Sequence, residues 1–64
     1  MKLLFDKRKK LGYTQQYVAS RVGISRQFFS MIETDERRPS VEVAKKIAHI
    51  LGFENEWYRL LESE

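Results

Sequence analysis

Arginine and lysine are the side chains through which this chain has most chemistry to offer, and they are unevenly placed. In residues 1–30, Lys2, Lys7, Arg8, Lys9, Lys10, Arg21 and Arg26 stand against Asp6 alone. Residues 31–64 reverse the balance, with Arg37, Arg38, Lys45, Lys46 and Arg59 outnumbered by Glu33, Asp35, Glu36, Glu42, Glu54, Glu56, Glu62 and Glu64. Such a dipole points a basic end at a polyanion such as nucleic acid and holds the other end away, although a solvated helical surface has the same composition. Catalysis has little to work with. His49 is the only histidine and cysteine is absent, no serine has an evident base partner, and no glycine-rich phosphate loop exists. The carboxylates of the second half read as a solvated face. Neither a metal nor a cofactor is expected, and the chain reads as a binding protein and not an enzyme.

Size points the same way. Sixty-four residues make one domain, 1–64, with a net charge of +3. A chain this short buries only about 60% of its unfolded surface, so a deep polar cleft would compete with folding. No run approaches the roughly 18 apolar residues of a membrane span. A cytoplasmic location is the default expectation, with no membrane partner and no small-molecule ligand implied.

The elements that must position these residues all read as helices, giving an all-α bundle of five. The three glycines and the one proline fall where helix ends belong. A first helix runs from about Leu3 to Leu11, with Leu4, Phe5, Arg8 and Leu11 on one stripe and Gly12 at its left-handed exit. Its basic last turn, Lys7 to Lys10, suits the negative end of the helix dipole. Thr14 caps a second helix that turns Val18, Ala19 and Val22 inward. After Gly23, Ser25 caps a third that runs to about Glu33, with Phe29 and Ile32 buried. A polar loop around Pro39 leads to Ser40, the natural cap of a fourth helix whose Val41, Ala44, Ile47, Ala48 and Leu51 recur at helical spacing before Gly52. A short fifth helix, capped by Asn55, carries Trp57, Leu60 and Leu61.

The second and third helices are joined by about three residues, and two helices so closely joined must cross at a steep angle. That asks for a small side chain where they pass, a glycine able to take positive φ in the turn, and apolar residues on the second helix of the pair facing back. Ala19, Gly23, Phe29 and Ile32 meet those demands: counted from Gln15 they are fifth, ninth, fifteenth and eighteenth. Together with Tyr13-Thr14-Gln15, Val18-Ala19, Val22-Gly23-Ile24-Ser25-Arg26, Ile32-Glu33 and Arg38-Pro39-Ser40, this spacing resembles the lambda-repressor-like family of Cro- and C1-type helix-turn-helix proteins. The resemblance covers nearly the whole chain.

What the resemblance implies is specific. The third helix would lie in the major groove of double-stranded DNA with Arg26 and Gln27 reaching base edges and Ser30 and Met31 one turn further on the same face. Arginine matches guanine O6 and N7, and glutamine matches adenine N6 and N7. Phe28 is open between a thymine-methyl contact and ordinary packing. Thr14 and Gln15 resemble the family's phosphate clamp, with Ser25, Thr34, Arg37 and Arg38 as further phosphate candidates. For Arg37 and Arg38 the alternative is a solvated loop charge. Arg8 and Glu33 occupy the family's structural ion pair. Two departures stand in the loop after the third helix: Asp35 where glycine is common, and Glu36 where a cation is usual.

Trp57, Leu60 and Leu61 would close the core over the first helix. With Phe53 they are also the candidates for a symmetric dimer contact, since small helix-turn-helix proteins read paired half-sites. Tyr17 and Tyr58 suit the surface. The resulting expectation is a sequence-specific regulator, a repressor that binds a near-palindromic operator as a dimer. The rival is a protein-interaction module of the same fold, such as an antitoxin or co-regulator.

Overall fold

The structure is a computed structural model that describes residues 1–62, and among them only helices and connections occur. Four α-helices follow one another: α1 (Lys2–Leu11), α2 (Gln15–Val22), α3 (Arg26–Glu33) and α4 (Val41–Leu51). A 3-10 element over Glu54–Leu61 completes the order.

Side-chain oxygens close the open amino ends of three helices. Tyr17 N–H donates to Thr14 Oγ1 at 3.0 Å, Phe28 N–H to Ser25 Oγ at 3.0 Å, and Val43 N–H to Ser40 Oγ at 3.2 Å. Each bond satisfies an amide that helix geometry leaves without a partner. At the carboxyl ends α1, α2 and α4 pass into the left-handed region at Gly12, Gly23 and Gly52. Gly23 is the position that matters most. At φ 91° it lets Ile24 N–H reach back to Ala19 O at 3.0 Å, so that Ser25 can start the next helix two residues later. Asp35 takes the same region at φ 66° without being glycine, a conformation for which a short polar side chain is tolerated.

Leu4, Val18, Ala19, Phe29, Ile32, Ala44, Ile47 and Leu60 are almost wholly shielded and form the centre of the core. Ala19 supplies the small surface at which α2 and α3 can approach closely. The amino group of Met1 donates to the carbonyl oxygen of Glu33 and lies 3.2 Å from the Asp35 carboxylate, tying the start of α1 to the end of α3.

Four expectations need correction. Phe5 and Leu11 do not join Leu4 in the core: they are 45% and 47% exposed. α1 offers only a narrow stripe to its neighbours, occupied by Leu4 and Arg8, and the Phe5 ring instead lies beneath Arg8 and Lys9. Val41 stands in the first turn of α4, beyond the reach of the facing helices, and is 48% exposed. Asn55 is not a cap, because the last element begins at Glu54 and is broken by non-helical backbone at Glu56. That element packs mainly on α4, not on α1. Tyr17 and Tyr58 are at the surface.

Because Leu60 anchors this last element in the core, Leu60→Ala should destabilise the domain by about 2–5 kcal/mol. Thermal unfolding followed by circular dichroism checks this; an unchanged midpoint would remove Leu60 from the core.

Candidate nucleic-acid interface

The face of α3 opposite Phe29 and Ile32 has no helix packed against it. An eight-residue helix with one buried side presents its other side as a row three and four residues apart. Arg26, Gln27, Ser30 and Met31 make that row and line a shallow open depression of about 350 Å³. Arg26 and Gln27 are exposed, and Ser30 and Met31 are half-buried at its inner edge. Phe28 is not part of it: its ring packs against the core from the flank of the helix.

A second concavity, of about 450 Å³, adjoins the first through Arg26. Thr14, Gln15 and Gln16, at the start of α2, form one wall, and Arg8, Lys9 and Tyr13 another. The first turns of α2 and α3 contain no acidic residue, unlike that of α4, where Glu42 stands. The positive ends of those two helix dipoles are therefore not neutralised by their own sequence, which is the arrangement that attracts an anion. Thr14 and Ser25 accept a backbone bond through the side-chain oxygen, so each hydroxyl keeps its own proton to donate.

Arg8, which lines the second concavity, belongs to an ion pair. Arg8 Nε donates to Glu33 Oε2 at 2.8 Å and Arg8 Nη2 to Glu33 Oε1 at 3.2 Å. Both residues are more than nine-tenths shielded from solvent. The remaining capacity is used as well: Arg8 Nη1 donates to Tyr13 O at 2.8 Å, and Gln15 Nε2 donates to Glu33 Oε1 at 2.7 Å.

The loop after α3 is arranged differently. The Thr34 hydroxyl donates to Glu36 Oε2 at 2.7 Å, so its proton is committed to a carboxylate. Arg38 Nη1 donates to Leu61 O at 2.7 Å, which fastens the last element to the loop and leaves the other N–H groups of that exposed guanidinium uncommitted. Arg37 is exposed and borders a small cleft with Asp35 and Glu62. Thr14, Gln15, Ser25 and the α3 row share one side of the molecule, whereas Thr34, Arg37 and Arg38 sit among carboxylates and carbonyls. Lys9 and Gln16 join the concave wall without having been singled out in the sequence, where Lys9 had a sufficient explanation in the helix dipole. For Gln16 the available signal was its place in the first turn of α2, two residues after the cap Thr14.

The C-terminal apolar set divides. Phe53 and Leu60 are core residues, 5% and 1% exposed, and cannot form a contact with a second molecule. Trp57 and Leu61 are half-buried, with the Lys45 ammonium 4.9 Å from the Trp57 ring centre. No helix among the described residues is long and apolar enough to cross a membrane.

The fold and this face define a helix-turn-helix protein. A family model described as helix-turn-helix matches residues 4–57, and the chain belongs to that family, of the Cro- and C1-type. It is 45% identical over 53 residues to YqaF of Bacillus subtilis, an uncharacterised HTH-type transcriptional regulator; the match covers 83% of this chain and 70% of that protein. An uncharacterised HTH-type transcriptional regulator of Methanothermobacter thermautotrophicus is 42% identical over 53 residues, covering 83% and 77%. No solved structure gives a significant match.

Arg8→Ala should cost about 3–5 kcal/mol in urea unfolding, because it leaves the Glu33 carboxylate buried without its partner. Replacing both residues together, Arg8→Met with Glu33→Leu, should cost clearly less.

Proposed function

We propose that this DNA-binding domain reads a specific duplex sequence with α3 in the major groove, and that it represses transcription by occupying a near-palindromic operator as a dimer. The observation that carries the reading is the row of exposed Arg26 and Gln27 with half-buried Ser30 and Met31, beside two helix amino ends that lack carboxylates. In this arrangement Arg26 and Gln27 specify, through paired hydrogen bonds to guanine and adenine edges. Thr14, Ser25 and the first amides of α2, beginning at Gln15, position, by holding backbone phosphate. Lys9 adds a flexible cation at the rim. Both relatives are named HTH-type transcriptional regulators, which supports a role in transcription, and a cytoplasmic location belongs to the same proposal. Trp57, Tyr58 and Leu61 are the surface through which a second copy would be held.

Selection of the purified protein against a random duplex pool, at two salt concentrations, tests this. An enriched inverted repeat is the expected result. Salt-sensitive binding without enrichment would replace it with the protein-interaction reading.

On the selected duplex, Arg26→Ala should cost about 1–3 kcal/mol and relax preference at one base pair. Lys9→Ala should weaken cognate and random duplex alike and flatten the salt dependence. Equal losses on both duplexes for Arg26→Ala would contradict its assignment.

A further inference from the structure

Glu33 lies on the inner side of α3, out of reach of any base, yet it is joined to Arg26 through a single intermediary. Gln15 Nε2 donates to Glu33 Oε1 at 2.7 Å, and Gln15 Oε1 accepts from Arg26 Nη1 at 3.4 Å. A carboxylate can only accept, so the amide must turn its NH2 group toward Glu33 and its carbonyl oxygen toward Arg26. Glu33 cannot rotate away from this duty, because Arg8 grips both of its oxygens. The amide of Gln15 thus has one orientation available. In that orientation it offers the exposed guanidinium an acceptor; in the reverse orientation it would offer a donor facing donors.

We infer that Glu33 is a positioning residue for base recognition: by fixing the direction of the Gln15 amide it holds Arg26 and thereby sets how strictly one base pair is read. This rests on the reading of Arg26 as a base contact. The bond to Arg26 is long and exposed, so it steers the guanidinium weakly, and it uses one nitrogen and leaves the other N–H groups free for a guanine. Replacing Glu33 by glutamine keeps its volume but presents a mixed donor and acceptor edge. Arg8 claims the carbonyl oxygen, the new NH2 group faces Gln15, the Gln15 amide reverses, and Arg26 loses its acceptor.

The test is a set of dissociation constants, measured by fluorescence anisotropy, for the duplex returned by the random-pool selection. The comparison duplexes carry each alternative base pair at the position that Arg26→Ala relaxes. The readout is the ratio between them, in which a uniform loss of affinity or a smaller folded fraction cancels. Gln15→Met removes the relay without touching the ion pair and should cut discrimination at that position by about 3- to 10-fold. Glu33→Gln should cut it by a similar factor at the same position and no other. In an Arg26→Ala background neither substitution should change the ratio further. Discrimination unchanged in Gln15→Met, with Arg26→Ala abolishing it, would overturn the relay and leave the base contact standing. Discrimination unchanged in Arg26→Ala would overturn the base contact and the relay with it.

Discussion

The placement of α3 against α1 rests on one buried ion pair. Arg8 and Glu33 come from helices separated by the whole of α2, and their contact decides where α3 ends relative to α1. Removing two charges from water costs several kcal/mol for each, a cost that mutual attraction offsets only when the remaining hydrogen-bonding capacity is also satisfied. Here Tyr13 O and the Gln15 amide complete the set, and no buried polar side-chain atom among the described residues lacks a partner. A nonspecific apolar contact would hold α1 against α3 at many small displacements. A forked guanidinium on a carboxylate holds it at one.

The same economy governs the helix ends. A domain of this size has little apolar surface to bury, so short helices of eight residues depend on their termini. Thr14, Ser25 and Ser40 satisfy one amide each through a neutral oxygen. A neutral cap stabilises the helix while leaving the positive end of its dipole in place, which an aspartate cap would have cancelled. In α2 and α3 that residual field faces outward beside the α3 row, so the device that helps these helices form also prepares the surface for an anion.

Much of this architecture was legible in the residues. The three caps, the three glycine exits and the inward positions of α2 and α3 follow from local rules that a tertiary environment seldom overrides, since each concerns an atom within a turn of its partner. Phe5, Leu11 and Val41 were misplaced for the opposite reason: helical periodicity states which residues share a face, not how wide a face the neighbours cover. The last element was expected as a short helix carrying Trp57, Leu60 and Leu61, but neither its 3-10 character nor its break at Glu56 was readable from apolar spacing. For the candidate site, the helix row was readable from spacing, whereas the commitments of Thr34 to Glu36 and of Arg38 to Leu61 O were not. Those are long-range or competing bonds between groups that each have several plausible partners. The Gln15 relay belongs to the same class.

The two sides of α3 are answerable to different demands. Phe29, Ile32 and Glu33 face inward and bear on stability, whereas Gln27, Ser30 and Met31 contribute no side chain to the fully shielded core. A surface substitution such as one at exposed Gln27 usually alters stability by no more than about 0.5 kcal/mol, and half-buried Ser30 and Met31 lie outside the shielded core. On the proposed reading, a lineage carrying this scaffold can exchange those three letters, and with them its preferred DNA, at less cost to the folded state than a change in Phe29, Ile32 or Glu33. Arg26 is the exception, bound by its tether to the interior. On the same reading, new binding sites would be explored fastest away from the base pair assigned to Arg26, and that base pair would be the slowest to drift.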